Sequence, residues 1–242
     1  MTDSLIHKAG IAEVGHTHAD VSGGALRASV FGAMDGLVTN IALVAGVGAA
    51  GATPHFIVLT GIAGLVAGAF SMAMGEYTSV RTQNEQVDRE WEKEAVEISE
   101  NSEAEERELA MMFAEMGMSE STAALAARDV HSDPQQAALV HVTQELGLDP
   151  REKPSPKVAA LSSFVTFSLG AIVPLLPFLL GFTSLLAGLA VGGLGLLIAG
   201  GLASLATTLP WWLSAVRQLG FGAVAAGATY LVGLAIGVSV AA

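Results

Sequence analysis

Long apolar stretches alternate with polar ones along the chain, and five of them are long enough to cross a bilayer. They lie at about residues 28–51, 56–80, 157–181, 184–209 and 219–241. An α-helix rises about 1.5 Å per residue, so about 20 apolar residues cross a hydrocarbon core of about 30 Å. The polar residues 81–157, here called the acidic insertion, separate the second stretch from the third. The pattern predicts an all-α membrane protein with five transmembrane helices and a helical insertion.

Helix start and stop signals divide the polar region further. No Gly or Pro interrupts residues 81–99, so the second membrane helix is expected to continue into the acidic insertion. Capping residues and glycines then predict helices from Ser102 to Gly117, from Ser119 to about His131, and from Asp133 to Gly147. In the third span, Pro174 and Pro177 are expected to kink or end the helix and to free carbonyl groups.

Charge sets the expected orientation. The acidic insertion holds 18 of the 23 acidic residues and 8 of the 11 basic ones, and the remaining basic residues are Lys8, Arg27 and Arg217. These positions fall on one side of five spans, which the positive-inside rule makes the cytosol, with the C-terminus outside. The predicted regions are a flexible cytosolic tail (1–25), helices one and two (26–80), a cytosolic acidic helical domain (81–157) and helices three to five (158–242).

Composition narrows the chemistry. The chain is 52% hydrophobic, carries a net charge of −12 and has no cysteine, which excludes disulfides and thiolate metal sites. Residues 1–25 lack an apolar core of signal-peptide length, so no cleaved signal is expected. We expect neither an organic cofactor nor a nucleic-acid partner. Because no organelle address is visible, the plasma membrane of a bacterium is the expected location.

Asp35 is the charged residue of the first span. A carboxylate inside a bilayer costs about 2.5 to 3.5 kcal/mol even on the mildest scale, so it should face protein or a cavity. Asp35 lies eight residues beyond Arg27, which is about 12 Å of helix. The structural alternative is that Asp35 only pairs with a neighbouring helix. The functional interpretation is a place on an ion path.

A thioether lies at a matching depth on the second span. Met72 is nine residues from Arg81, about 13.5 Å of helix, so it can meet Asp35 at one level of the membrane. Further candidates for the path are Met34, Asn40 and Glu76. Oxygen and thioether ligands suit Fe²⁺ or Mn²⁺ better than Cu or Zn. The alternative is that the methionines only pack helices together.

The acids of the acidic insertion fall in spaced pairs. Glu94 with Glu97, and Glu105 with Glu108, each lie three residues apart on one helix face. Two antiparallel helices would bring both pairs together and create repulsion that cations relieve. The other candidate ligands are Met111, Met112, His141 and Glu145. The alternative is a solvated acidic face in which Glu105 serves only as a capping-box partner.

Several runs resemble the vacuolar iron transporter family. They are MDGLVTNIALVAGV, GAFSMAMGEYTSV and PLLPF, together with the acidic helical insertion, and the resemblance covers nearly the whole chain from Leu26. It implies a five-spanning homodimer that moves Fe²⁺, and often Mn²⁺, out of the cytosol in exchange for protons. It also implies a cytosolic metal-binding domain.

Residue by residue, the resemblance places the acid of the translocation path at Asp35 and its methionine at Met72. It places the glutamates of the cytosolic site at Glu94, Glu97, Glu105, Glu108 and Glu145. Three positions depart from the family pattern: Gly64 replaces a glutamate, Ala28 an aspartate, and His141 with Val142 a pair of methionines. Glu76 is the candidate substitute for the glutamate missing at Gly64. His141 shifts the cytosolic site towards nitrogen ligation.

The leading hypothesis is a proton-coupled exporter of divalent metal, not an enzyme. A membrane-anchored metal sensor or scaffold is the first alternative, although it would not need Asp35 inside a span. A di-iron ferroxidase is the second alternative. Such enzymes carry Glu-x-x-His on a helix, whereas His141 and Glu145 stand in the reverse order four residues apart.

Overall fold

Helices make up the regular structure of the part of the chain that the computed structural model describes, residues 24–147, 149–206 and 209–241. They are α1 (Gly24–Ala49), α2 (Pro54–Glu115), α3 (Glu120–His131), α4 (Pro134–Leu146), α5 (Pro156–Ile172), α6 (Leu176–Leu179), α7 (Leu185–Ala203) and α8 (Trp211–Ala241). The predicted fold class is confirmed. The predicted N-terminal tail lies outside the described residues, except for its last two.

Five stretches of helix are long and apolar enough to cross a membrane, as predicted. They are Ala25–Ala49, a part of α2, Pro156–Leu179, Leu185–Ala203 and Trp211–Gly237. The last begins at Trp211 and not at the predicted residue 219. Pro210 precedes it, and a proline is tolerated at a helix start, so residues 211–218, which include the charged Arg217, belong to the same helix.

Helix α1 is the centre of the membrane region, since it contacts α2, α5, α7 and α8. Its closest neighbour is α5. A Cβ on Gly36 would collide with the carbonyl oxygen of Phe167, and a Cβ on Gly170 would collide with that of Ala33. The two backbones therefore touch, which is how small residues let helices associate where lipid removes the hydrophobic driving force.

The third span is broken where prolines predicted it. Helix α5 ends at Ile172, a 3₁₀ turn covers Val173–Leu175, and α6 follows. Pro174 has no N–H group, so the carbonyl of Ala171 loses a donor that a regular 3₁₀ turn would supply. The amide Nδ2 of Asn40 donates to that carbonyl instead. The break in α5 is thus tied to the middle of α1.

Helix α2 bends at one residue of the acidic insertion. Helix α2 continues out of the second span, as predicted, but Asn101 has non-helical angles of φ −132° and ψ 34°. Beyond it, Leu109 and Phe113 pack against Ala123 and Ala127 of α3. Before it, Ile98 packs against Ala137 and Ala138 of α4.

Helices α3 and α4 begin as the sequence predicts. The side chains of Ser119 and Asp133 accept hydrogen bonds from backbone N–H groups in their first turns. Helix α4 ends at Gly147, whose φ of +65° lies in the left-handed region that glycine adopts readily. These capping residues therefore define where α3 and α4 begin and where α4 ends.

The α1–α5 contact can be tested with two alanine substitutions. Gly36→Ala should lower the thermal midpoint in detergent, because its new Cβ would overlap the Phe167 carbonyl and forcing extra atoms into a packed interior costs about 1 to 3 kcal/mol. Gly227→Ala is the matched control, since a Cβ there has no neighbour within 4 Å and alanine favours a helix by about 1 kcal/mol. Tryptophan fluorescence follows the unfolding. Equal midpoints in the two variants would contradict the packing.

Candidate functional site

A carboxylate pair and one histidine converge inside the acidic insertion. Glu94, Glu105 and His141 each direct one possible ligand atom into a space where these atoms lie within 4.8 Å of one another. The Nδ1 atom of His141 is 3.1 Å from Oε1 of Glu94 and 3.9 Å from Oε2 of Glu105. Glu94 is 5% exposed and His141 is 0% exposed. We call these three residues the acidic triad.

The bend at Asn101 creates the acidic triad. Positions 94 and 105 lie eleven residues apart, which would separate them by about 16.5 Å along a straight helix. Because one oxygen of each carboxylate instead lies within 4.8 Å of the other, α2 must bend at Asn101 so that both side chains reach one space. Helix α4 supplies the third member, since Ala137 and Ala138 seat it against the part of α2 before Asn101, one turn before His141.

The electrostatics of the acidic triad are those of buried acids without a counter-charge. Burial, together with the smaller effect of the charges of Glu145, Glu105, Glu97 and Glu108, raises the pKa of Glu94 to about 7. Burial also raises the pKa values of Glu105 and Glu145. Burial lowers the pKa of His141 to about 4, with His131 adding to the effect. Both kinds of shift favour neutral side chains.

A divalent cation fits the acidic triad. Oε1 of Glu94 and Nδ1 of His141 are buried and have no aligned hydrogen-bond partner, although they lie 3.1 Å apart. Buried polar atoms nearly always have partners, so a pair that converges without bonding is unusual. Two carboxylates and an imidazole nitrogen suit Mn²⁺, Fe²⁺, Co²⁺ or Zn²⁺. A bound cation would satisfy all three side chains at once.

The other predicted ligands of the acidic insertion lie around the acidic triad. Glu97, Glu108 and Glu145 are near enough for their charges to act on Glu94, but they do not belong to the converging group. Met111 is 62% exposed. Met112 packs against the apolar cluster around Leu109 and Phe113. The structure therefore places the two methionines in different surroundings from the three converging ligands.

His131 belongs to this region but was not singled out from the sequence. Its Nε2 atom lies 3.1 Å from Nε2 of His141, on the side of the ring away from the carboxylates. The signal that could have found it is the short connection through Ser132 and Asp133, which makes α3 and α4 neighbours.

In the membrane region, Asp35 lines a groove between α1 and α8. The groove has a volume of about 380 Å³ and is bordered by Phe31, Met34, Val38, Arg217, Gln218 and Phe221 as well as Asp35. Met34 also borders a second groove towards α7. Asp35 is partly exposed, so a cation in the groove could reach its carboxylate.

The remaining predicted path residues have other neighbours. Met72 packs against the buried cluster of Ala69, Phe167 and Ala171, between α2 and α5. Asn40 is 1% exposed, and its Oδ1 atom has no hydrogen-bond partner in the described chain. Glu76 is buried and forms an ion pair of 2.8 Å with Arg27 of α1. Within one chain, the structure does not bring these side chains to the groove that Asp35 lines.

Comparison with known proteins identifies the family. The sequence model of the VIT family matches residues 26–234, from the start of α1 to most of α8. The chain belongs to the VIT family. The vacuolar iron transporter 1 of rice (Oryza sativa subsp. japonica) is 30% identical over 224 residues, which cover 89% of this chain and 88% of the rice protein.

Other VIT-family relatives match over a shorter region. Vacuolar iron transporter 1 of Arabidopsis thaliana is 33% identical over 169 residues, covering 68% of this chain and 66% of the plant protein. The vacuolar iron transporter of Acanthamoeba castellanii is 35% identical over 164 residues, covering 67% of this chain and 59% of its own length. The chain thus spans less than two thirds of these two relatives. The resemblance to the vacuolar iron transporter family is confirmed.

The pKa of Glu94 gives the acidic triad a testable pH dependence. A cation needs the ionised carboxylate, whereas the raised pKa of about 7 keeps Glu94 protonated at lower pH. The affinity of the full chain for Mn²⁺ should therefore fall by up to about tenfold for each pH unit below 7. Calorimetry at pH 6 in two buffers of different ionisation enthalpy should detect about one released proton.

Two variants complete this test. Glu94→Gln should abolish the proton release, because the amide has no proton to exchange. Glu85→Gln is the control, since Glu85 is exposed and pairs with Arg81. Mn²⁺ affinity that stays constant between pH 5.5 and 8 would contradict the role given to Glu94.

Proposed function

We propose that the chain exports a divalent metal, Fe²⁺ or Mn²⁺, from the cytosol in exchange for protons. Relatives that bear the name vacuolar iron transporter support the metal and the transport. The observation that carries the proposal is the position of Asp35, a carboxylate within a membrane span that lines a groove. An acid at such a position has a functional role by default.

Exchange follows from competition at one carboxylate. A proton neutralises Asp35, and so does a bound cation, but the two cannot occupy the same oxygen together. If the groove opens alternately to the two sides, Asp35 releases the metal where it takes up a proton. The proton returns to the other side when the next metal binds. One carboxylate thereby couples the two flows.

The ligands proposed for the path are Met34, Asn40 and Met72 beside Asp35. Thioether, amide and carboxylate groups together suit a divalent cation of intermediate softness. The buried Oδ1 atom of Asn40 has no hydrogen-bond partner in the described residues and is the proposed ligand. Its Nδ2 atom donates to the carbonyl of Ala171, next to the break in the third span. Met72 and Asp35 have different neighbours within one chain, so the path is proposed to form at the interface of a homodimer.

Glu76 is proposed as the second group that handles protons. Its ion pair with Arg27 joins the start of α1 to α2. A carboxylate held by a guanidinium is already satisfied, so the pair must open before Glu76 can take up a proton or a metal. Opening would release the side chain of Arg27 from α2, while the buried cluster that contains Ala28 and Val80 still joins the two helices. Glu76 would then act only in one conformation of the cycle.

The acidic insertion is proposed to collect ions in the cytosol and to deliver them to the path. The acidic triad supplies the binding chemistry, with Glu97, Glu108 and Glu145 around it and with Met111 and Met112 as the remaining candidate ligands. In this arrangement the N-terminus and the insertion are cytosolic, the C-terminus is outside, and the membrane is the plasma membrane of a bacterium.

A metal sensor is the second candidate function. It is favoured by one observation, namely that the acidic triad is complete within the acidic insertion and needs no residue of the membrane spans. A sensor would bind metal but would move none, so the measurement of flux distinguishes the two functions.

Flux in proteoliposomes tests the proposed exchange. Asp35→Asn should abolish Mn²⁺ flux and the opposed proton movement, because an amide neither binds a proton nor balances a cation. Asp129→Asn, which changes an exposed acid of α3, is the matched control and should retain both flows. Internal pH and metal are recorded together in vesicles of known orientation. Wild-type flux in the Asp35→Asn variant would rule out this path, and binding without flux in the wild type would favour the sensor.

Met72 is tested by metal preference. Met72→Ala should weaken competition by the softer ions Fe²⁺ and Co²⁺ relative to Mn²⁺, because a thioether favours softer cations. Met74→Ala is the control, since Met74 is exposed on the same helix. Unchanged competition profiles in the Met72 variant would count against a ligand role.

A further inference from the structure

The two imidazole rings of His131 and His141 form a pair behind the acidic triad. Their Nε2 atoms lie 3.1 Å apart, and the rings meet edge to face with centroids 5.2 Å apart and an interplanar angle of 81°. His131 is the last residue of α3, and His141 lies within α4. The contact therefore joins two different helices and connects α3 to the acidic triad.

The two nitrogens of His141 face different partners. Nδ1 faces Glu94 and Glu105, and Nε2 faces His131. A neutral imidazole carries one proton, so one of its nitrogens donates and the other accepts. A cation at the acidic triad needs the lone pair of Nδ1. The proton of His141 must then lie on Nε2, where the structure provides the Nε2 atom of His131 as acceptor.

We propose that His131 is a positioning residue that fixes His141 in the tautomer whose Nδ1 binds metal. The inference rests on the proposed metal binding by the acidic insertion and does not depend on export. His131 accepts the hydrogen bond from Nε2–H of His141 and keeps the ring plane aimed at the carboxylates. A hydrogen bond to the second nitrogen of a metal-binding histidine is the usual way to orient the ring and to raise its basicity.

The surroundings of Nδ1 support this assignment. Nδ1 of His141 and Oε1 of Glu94 approach to 3.1 Å, but neither has an aligned hydrogen-bond partner. The contact to His131 is the hydrogen bond that His141 makes with another side chain. Because His141 is fully buried, its Nε2–H group would lose its side-chain acceptor without His131, and a buried donor without a partner costs free energy. As the acceptor, His131 carries its own proton on Nδ1, which has no hydrogen-bond partner among the described residues.

The consequence is metal selectivity. Carboxylates alone favour Mg²⁺, Ca²⁺ and Mn²⁺, whereas an imidazole nitrogen shifts preference towards Fe²⁺, Co²⁺ and Zn²⁺. If His131 holds Nδ1 available, the acidic triad is a mixed nitrogen and oxygen site that prefers Co²⁺ to Mn²⁺. Loss of His131 should leave a weaker site whose metal preference is that of the two carboxylates alone.

Three substitutions of His131 separate the effect of its hydrogen bond on metal binding from the effect of its ring shape. His131→Phe keeps a planar ring but removes the acceptor. His131→Gln places a carbonyl oxygen near the position of Nε2, and His131→Asn carries the same amide on a shorter side chain that does not reach. His55→Leu, at an exposed histidine in the first turn of α2, is the distant control.

The readouts are the modulation of bound Mn²⁺ by nitrogen in pulsed electron paramagnetic resonance, and the ratio of Co²⁺ to Mn²⁺ affinity. Both use the full chain in detergent, with circular dichroism as a check of folding. We expect nitrogen modulation in the wild type, in His131→Gln and in His55→Leu, and its loss in His141→Ala. His131→Phe and His131→Asn should lose it too, with Co²⁺ affinity lower by about 10-fold to 100-fold.

Wild-type modulation and a wild-type affinity ratio in both the Phe and the Asn variants would overturn the inference. Equal nitrogen modulation and equal affinity ratios in His131→Gln and His131→Asn would also overturn it, since only the Gln side chain reaches the position of the Nε2 atom of His131. Absence of nitrogen modulation in the wild type would remove His141 from the ligands and the inference with it. Flux through the Asp35 path is measured separately, so none of these results decides whether the chain exports metal.

Discussion

The cost of taking a carboxylate away from water is the constraint on which this structure depends. A buried acid must find a counter-charge, a proton or a metal, because leaving it ionised and unpaired costs several kcal/mol. Glu76 has its counter-charge in Arg27. Glu94 has a neutral histidine beside it, and its pKa rises to about 7 because of burial and neighbouring acids. Asp35 faces a groove between α1 and α8. The three acids thus meet one constraint in three ways, and two of them retain room for a cation.

The acidic triad is built where a helix departs from regular geometry, whereas the groove that Asp35 lines is bordered by α1 and α8. The bend of α2 at Asn101 brings Glu105 to Glu94. The break at Pro174 frees the Ala171 carbonyl, to which Asn40 donates. Regular helices place side chains at fixed spacings along one axis, so residues eleven apart cannot share a ligand without such a bend. The bend at Asn101 and the break at Pro174 therefore determine which of these side chains come together.

Much of the fold was predictable from the sequence because its signals are local. Apolar length gives five spans, and the caps Ser119 and Asp133 give the starts of α3 and α4. The spacing of the acids predicted that the pair Glu94 and Glu97 would approach the pair Glu105 and Glu108, and one member of each pair, Glu94 and Glu105, converges with His141. The start of α8 was misplaced because Arg217 and Gln218 interrupt the apolar run before residue 219, although the helix already begins at Trp211.

What the sequence could not provide is the rotation of each helix about its axis. The partners of Glu76, Met72 and Asp35 depend on that rotation, which is set by contacts such as the one between Gly36 and Phe167. His131 was missed for the same reason, since its contact with His141 depends on how α3 packs beside α4. Depth in the membrane can be counted along a helix. The direction of a side chain follows only from packing.

We propose that a divalent cation binds at two places, the acidic triad and the groove that Asp35 lines. Anomalous diffraction from crystals of the full chain soaked in Mn²⁺ locates such ions. We expect a peak within coordination distance of Glu94, Glu105 and Nδ1 of His141, and a second peak in the groove beside Asp35. Peaks confined to exposed acids of the insertion, with the acidic triad closed and empty, would contradict it.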